Sequence, residues 1–330
     1  MSPFCKPSRR RFLSLAPAAA MLAHGTLFAQ AQSYPQRPIK FIVPNAPGSS
    51  VDTIGRVAAN EMAQVLHQAA VVDNRAGAAG ALGVEVGRTA PPDGYTLIVA
   101  SSSSITVAPL LQKAVSYDPQ KDFDFVSLVA MLPNVLVCNT ALPVQSTADL
   151  IAWCKARGNK SNMASAGIGS VSHLAGVALQ SAGGFQSLHV PYKGGSQGVA
   201  SVVSGETDWV LTPAPAALGL VASGRLKLLA HSMSPESQAL GATPAIGQTL
   251  PGFEFSSWIG LMAPKGLPAA VTETLRQALS QALQQPALRK AFETNGAVPN
   301  ASTPQEFRSY LARDVEQNRK AMTVAGVQAE

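Results

Sequence analysis

Five stretches of small residues stand where a helix is about to begin: Pro47-Gly48-Ser49-Ser50, Ser101-Ser102-Ser103-Ser104, Gly167-Ile168-Gly169-Ser170, Gly194-Gly195-Ser196 and Thr212-Pro213-Ala214. The first turn of a helix carries N–H groups with no acceptor inside the helix, and the positive end of its dipole. Where the side chains are small, an anion can approach that backbone and be held without lysine or arginine. Any one such loop reads as a tight turn. Five of them, each after an extended apolar run, describe a binding edge for a carboxylate or phosphate.

Single residues at these loops carry two readings each. Asp52 could accept from a ligand amine, hydroxyl or water, or stabilise the start of its own helix; it would repel a bare carboxylate, which favours the second role. His173 could donate to a ligand or pack against its own strand. Lys193 could neutralise an anion or remain solvated. Tyr192 could line a cleft or fill the core.

Gly194-Gly195-Ser196-Gln197-Gly198 fits the G-x-S-x-G string of a hydrolase elbow, and Asp208 and His231 follow in Ser-Asp-His order. Both partners come from successive adjacent units, and nothing places His231 on a suitable loop, so Ser196 reads as turn chemistry and no catalytic residue is expected. His67, His173, His189 and His231 have neither paired spacing nor a nearby cysteine, and no phosphate-loop motif occurs. Neither a metal nor a cofactor is expected.

The elements that must position these loops alternate. Residues 39–43, 71–72 and 95–100 read as strands, with a helix from Ile54 to Leu66 and another ending near Thr89. A second set runs from strand 135–137 through helix 148–156, strand 161–165, a helix from Leu174, strand 188–190, a helix through Val203, strand 209–211, helix 214–223 and strand 226–230. Residues 253–262 are extended and apolar; helices follow at 271–283 and 304–322. The expected architecture is α/β: two doubly wound lobes with a cleft between them, joined by two extended crossings near residues 125–132 and 253–262. The lobes are expected at 32–130 plus 256–330, and at 131–255.

The chain begins with Lys6, Arg9, Arg10 and Arg11, then an apolar Ala-rich stretch, then Ala29-Gln30-Ala31. Residues 1–31 therefore read as a signal peptide, exported either unfolded or by the twin-arginine route that Ser8-Arg9-Arg10-Arg11-Phe12-Leu13 resembles. Without it, 21 basic groups face 19 acidic ones. No basic cluster interleaved with aromatics remains, which argues against nucleic acid. Cys138 and Cys154 could pair in an oxidising compartment or stay as two buried thiols.

Longer pieces carry a resemblance. YPQRPIKFIVPNAPGSSVDTIGR, VVDNRAGAAGALGVEVGRTAPPDGYTLIVAS, YDPQKDFDFVSLVA, SAGIGSVSHLAG, HVPYKGGSQGVASVVSGETDW, SSWIGLMAPKGLP and TPQEF occur in order over nearly all the mature chain. In these pieces it resembles the solute-binding proteins of tripartite tricarboxylate transporters, the Bug family. The resemblance implies a type II periplasmic binding fold, a small carboxylate ligand, delivery to integral-membrane permease subunits, a periplasmic location and a monomer. Matching positions imply ligand loops at Pro47, Gly48, Ser49, Ser50 and Asp52; at Ser101, Ser102 and Ser103; at Ser165, Gly167, Gly169, Ser170 and His173; and at Tyr192, Lys193 and Gly194, with Asp208 a weaker candidate. The chain departs from the family at Ser49 and Ser50, where paired glycines are usual, and at SPESQALGATPAIGQTL, which keeps only Thr243-Pro244 of the usual run. A secreted hydrolase using Ser196 and a sensory ligand-binding protein of the same fold are the rival functions.

Overall fold

The computed structural model describes residues 34–237, 240–324 and 326–328; the predicted signal segment lies outside the described residues. In chain order the elements are β1 (Ile39–Val43), α1 (Ser50–Leu66), β2 (Ala70–Asn74), α2 (Ala81–Arg88), β3 (Thr96–Ser101), α3 (Ala108–Leu111) and β4 (Phe123–Asn139). Then come α4 (Thr147–Arg157), β5 (Asn162–Ser165), α5 (Val171–Gly183), β6 (Leu188–Pro191), α6 (Gly195–Ser204), β7 (Trp209–Pro213), α7 (Leu218–Ala222) and β8 (Leu226–His231). The chain closes with α8 (Ile246–Thr249), β9 (Ser256–Pro264), α9 (Ala269–Ala282), α10 (Pro286–Thr294), β10 (Val298–Pro299) and α11 (Pro304–Val324).

The fold is α/β and two-lobed. In the first lobe β1 pairs parallel with β2 and β3, and β9 lies antiparallel between β3 and the first part of β4. In the second, β5 pairs parallel with β6 and β7, while β7 and β8 flank the last part of β4. Helices cover both sheet faces, so the strands are apolar on both sides. Leu97 and Val99 enter one core with Ile54, Ala58 and Met62 of α1, and Ile98 and Ala100 enter another with Phe307 and Leu311 of α11. Side chains two apart share a face. The second lobe repeats the device: Leu136 and Cys138 face one cluster, Val135 and Val137 the other. Gly260 of β9 is required by close approach, since a Cβ there would stand 2.3 Å from the Phe307 ring.

One strand serves both lobes. Residues 123–133 of β4 pair with β9, and residues 134–139 pair with β7 and β8. The first crossing is therefore the Pro133-Asn134 step rather than residues 125–132, which are apolar because they sit inside the first sheet. The second crossing is equally short and ends at Phe255, because β9 starts at Ser256. Asn134, Ser232 and Phe255 bind the two together. Asn134 N–H donates to Ser232 Oγ (3.0 Å), Ser232 Oγ donates to the Phe255 carbonyl (2.5 Å), and Asn134 Nδ2 donates to the same oxygen (2.5 Å).

Two further bodies bridge the lobes. The early part of α11 packs on the first sheet, but Ala321 and Met322 join the cluster of α5, and so do Val107 and Leu111. The helix predicted at 214–223 is a 3-10 turn at Ala214–Ala216 followed by α7. Helices α3, α8 and α10 were not predicted. Cys138 and Cys154 are buried free thiols, and burial pushes Cys138 up to about 11.

Candidate functional site

The loop after β1 is built around Asp52. Ser49 caps α1 by accepting the Asp52 N–H at 3.2 Å. The Asp52 carboxylate, 5 % exposed, accepts from Gly48 N–H (2.9 Å), Arg56 (2.6 Å) and Asn74 Nδ2 (2.9 Å), and Asn74 also holds the Asn45 carbonyl. Burial raises its pKa, but these donors and the Arg56 charge outweigh it and hold the carboxyl below the usual range. Asp52 is thus consumed by its own loop, the second of its two predicted roles. Gly48 has no free N–H to offer. The donors left on this loop are the Ser50 and Val51 N–H groups, which have no acceptor inside α1, and the half-buried Ser50 hydroxyl, which has no hydrogen-bond partner among the described residues.

The loop after β3 is a π-helical turn, Ser102–Val107, running into α3. Single π-turns inside helices recur at functional sites. Ser101 and Ser104 form a reciprocal cap, and Ser101 Oγ also lies 3.1 Å from Ser103 Oγ. Ser102 departs from the predicted pattern. Its side chain is 2 % exposed and donates inward to Asp314 Oδ2 (2.9 Å). Asp314 of α11 also accepts from Thr106 Oγ1, from Trp258 Nε1 (2.7 Å) and from Asn318 Nδ2 (3.1 Å). Tyr117 donates its hydroxyl to the Ser104 carbonyl. Ser103 is the half-buried serine of the run.

In the second lobe, Ser170 caps α5 by accepting the His173 N–H (3.3 Å), and the Gly169 N–H donates to His173 Nδ1 (3.0 Å). Ser165 Oγ accepts the Gly167 N–H (3.1 Å) and lies 2.6 Å from His189 Nε2. The helix donors left without an internal acceptor are Val171 and Ser172 N–H. Tyr192 N–H donates to the Ser165 carbonyl at 3.0 Å, which sets the two loops side by side. The Tyr192 ring itself packs into the apolar cluster under α6. Tyr192 is half-buried there. Gly194 stands in open space at the start of α6, and Lys193 beside it is exposed, with no ion pair among the described residues.

Asp208 is corrected. It precedes β7 and accepts the Asn162 N–H at 2.6 Å, so it lies at the beginning of the parallel strands, away from the loops at their ends. This also dismantles the Ser196 triad. His231, 2 % exposed, accepts the Met233 N–H on Nδ1 (3.3 Å), while Ser196 is exposed on α6.

Contacts connect the loops into one edge. A Cβ on Gly80 would stand 2.7 Å from Ser104 Cβ and 3.0 Å from the Pro44 carbonyl, and one on Gly169 would stand 1.8 Å from Leu111 Cδ1. Gly80 ends a turn in which Gly77, Ala78, Ala79 and Gly80 all have positive φ, a conformation costly for alanine. The turn was legible as Gly/Ala-rich, but not its place beside Ser104. Among the described residues, the finished edge presents main-chain N–H groups, hydroxyls and one lysine, with no carboxylate free to oppose an anion.

The sequence profile described as tripartite tricarboxylate transporter family receptor matches residues 54–326. The chain belongs to that family. Protein BugT of Bordetella pertussis is 36 % identical to this receptor over 288 residues, covering 87 % of this chain and 88 % of BugT. Among solved structures, Rpa4515 of R. palustris with adipate superimposes with a TM-score of 0.84 at 27 % identity, covering 90 % of this receptor and all of that chain. MatC of Rhodopseudomonas palustris with bound malate gives 0.77 at 27 % identity, covering 87 % and 99 %. No helix among the described residues of the receptor is long and apolar enough to cross a membrane.

Proposed function

We propose that this receptor captures a small carboxylate between the two lobes, in the periplasm, and delivers it to permease subunits in the membrane after residues 1–31 are removed. The observation that carries the reading is the donor inventory of the loops. Ser50, Val51, Val171, Ser172 and the first residues of α6 offer N–H groups at helix starts, and Lys193 adds one exposed cation. Such donors match a carboxylate's acceptors, and each charge-assisted bond contributes about 1.5–3 kcal/mol. The proposed ligand-contacting set is Ser49, Ser50, Ser103, the turn of residues 165–170, Lys193 and Gly194. The partner switch in β4 supports a lobe boundary at Pro133 rather than at 130. Adipate and malate, seen in two relatives, are the first acids to try.

Native mass spectrometry of protein purified without refolding, followed by calorimetry against a panel of mono-, di- and tricarboxylates, tests the reading. One or more acids should bind with one-to-one stoichiometry. A folded protein that binds none of them refutes it.

A further inference from the structure

Two histidines lie directly beneath the second-lobe loop. The His173 ring, 6 % exposed, is stacked on that of His189 at 3.9 Å between centroids and 13° from parallel. His173 Nδ1 accepts the Gly169 N–H, so the proton of the neutral ring sits on Nε2. His189 reaches Ser165 at the other end of the same turn. The two rings thus hold both ends of residues 165–170. We propose that His173 is a positioning residue for anion capture: clamped against His189 and neutral throughout the working pH range, it fixes Gly169 and so aims the Val171 and Ser172 N–H groups at the ligand. The proposal rests on the carboxylate reading above.

Neutrality follows from the geometry. A proton on Nδ1 would point at the Gly169 N–H, and two imidazolium rings stacked at this distance would repel. Burial, with a smaller contribution from His189, pushes His173 down to about 4, and burial lowers His189 as well. Among the described residues, no carboxylate opposes this. On α11, which packs against α5, Asp314 is committed to Ser102, Thr106, Trp258 and Asn318, and Arg313, Glu316, Arg319 and Lys320 are exposed. Beyond β6, Lys193 is exposed, and before β7, Asp208 is held at the far strand end by Asn162. Strand β5 and the π-turn bring no charged side chain.

The competing role is a cationic contact. A histidine that binds the anion as imidazolium would raise affinity by up to about tenfold for each pH unit of acidification, levelling off once the pH falls below its free value of about 6.5. A neutral positioning ring gives no such rise.

Two measurements decide. In ligand-free protein, an NMR titration should show His173 protonating near 4, with the Gly169 amide shifting in step. A His173 that titrates near its ordinary value, or a Gly169 amide that ignores it, overturns the proposal. With adipate as probe, calorimetry should give affinities within about threefold from pH 8 to 5.5 for wild type and for His173→Gln, whose amide oxygen can still accept the Gly169 N–H, and about a tenfold or greater loss for His173→Leu. Affinity that climbs on acidification, or His173→Leu equal to wild type, refutes it. If adipate does not bind, an acid of the panel that does replaces it as probe; if none binds, the functional reading is what fails, and the NMR titration still decides the role of His173. If His173→Leu does not fold, the wild-type pH profile and the titration decide.

Discussion

Gly169 is where the proposed ligand loop of the second lobe meets Leu111, and substituting it has a calculable cost. Its φ of +71° costs an alanine about 1–2 kcal/mol. The new Cβ would also stand 1.8 Å from Leu111 Cδ1, about half an ordinary carbon–carbon contact. Leu111 is 9 % exposed within a packed cluster, so moving it adds about 1–3 kcal/mol, the range for overpacking. Gly169→Ala should therefore destabilise by about 2–5 kcal/mol. Leu111→Ala alone should cost about 2–3 kcal/mol by leaving a cavity. In the double variant the cavity accepts the new methyl, so only the backbone strain and part of the cavity cost remain. The two changes should couple favourably by about 1–3 kcal/mol. Urea unfolding followed by tryptophan fluorescence measures all four corners of the cycle. Strict additivity would mean that Leu111 and Gly169 do not touch in solution, and that the lobes meet differently there.

Other outcomes follow from the same structure. Ser170→Asp keeps a good helix cap but puts a negative charge on the proposed anion site, so calorimetry should find binding abolished in a folded protein, while Lys193→Ala should cost about tenfold or less; the reverse pattern would make the site an ordinary ion pair. Asp314→Ala leaves three buried donors, Ser102, Thr106 and Trp258, without their acceptor, while Asn318 keeps the main-chain carbonyl of residue 314, and should cost about 3–5 kcal/mol in chemical denaturation. Burial raises the Asp314 pKa above its unfolded value of 3.8. The wild type therefore gains stability as the pH falls through the folded value, and the deficit of the variant should widen on acidification; a constant deficit would contradict the raised pKa. Ser196→Ala should leave any trace esterase activity unchanged, and labelling of Ser196 by a fluorophosphonate would revive the hydrolase reading.

The sequence made the alternation of elements legible, because most strands, such as β1, β3, β4 and β9, are apolar runs and the proposed ligand loops are clusters of small residues. It did not reveal that Phe123–Asn139 is one strand. A run buried in one sheet looks like a run buried in the next, and nothing local marks the step where the partner changes. Helix α10 escaped because Pro286–Thr294 is short and one-third charged, with Leu288 and Phe292 as its buried residues. Around the site, the small-residue loops placed Ser49 and Ser170 at helix starts, though not as the caps that each forms with the residue three further on. Local spacing could not find Asp314, whose partners Ser102 and Thr106 are more than 200 residues away. Nor could it pair His173 with His189, because they sit on different elements and meet only when α5 folds onto β5 and β6. Asp208 was misplaced for a simpler reason: a strand's polar neighbours look alike at both ends, and only the parallel pairing of β5 with β7 says which end faces the ligand.

The long strand that threads both sheets also sets an order of construction. As the chain is made, β4 through β8 come out together, so the second sheet has all its strands by His231. The first sheet does not. Its middle strand β9 arrives after the whole of the other lobe, and until then β3 has no partner along Ile98–Ser101, the edge that later meets Ile259–Met262. An unpaired apolar edge of this kind invites pairing with another chain. The N-terminal third of the newborn protein is thus the part most in need of a chaperone, and it stays so until almost four fifths of the chain has been translated. Truncations ending shortly before Ser256 should aggregate through β3, whereas a nascent chain stalled past Pro264 can already close the first sheet around β9.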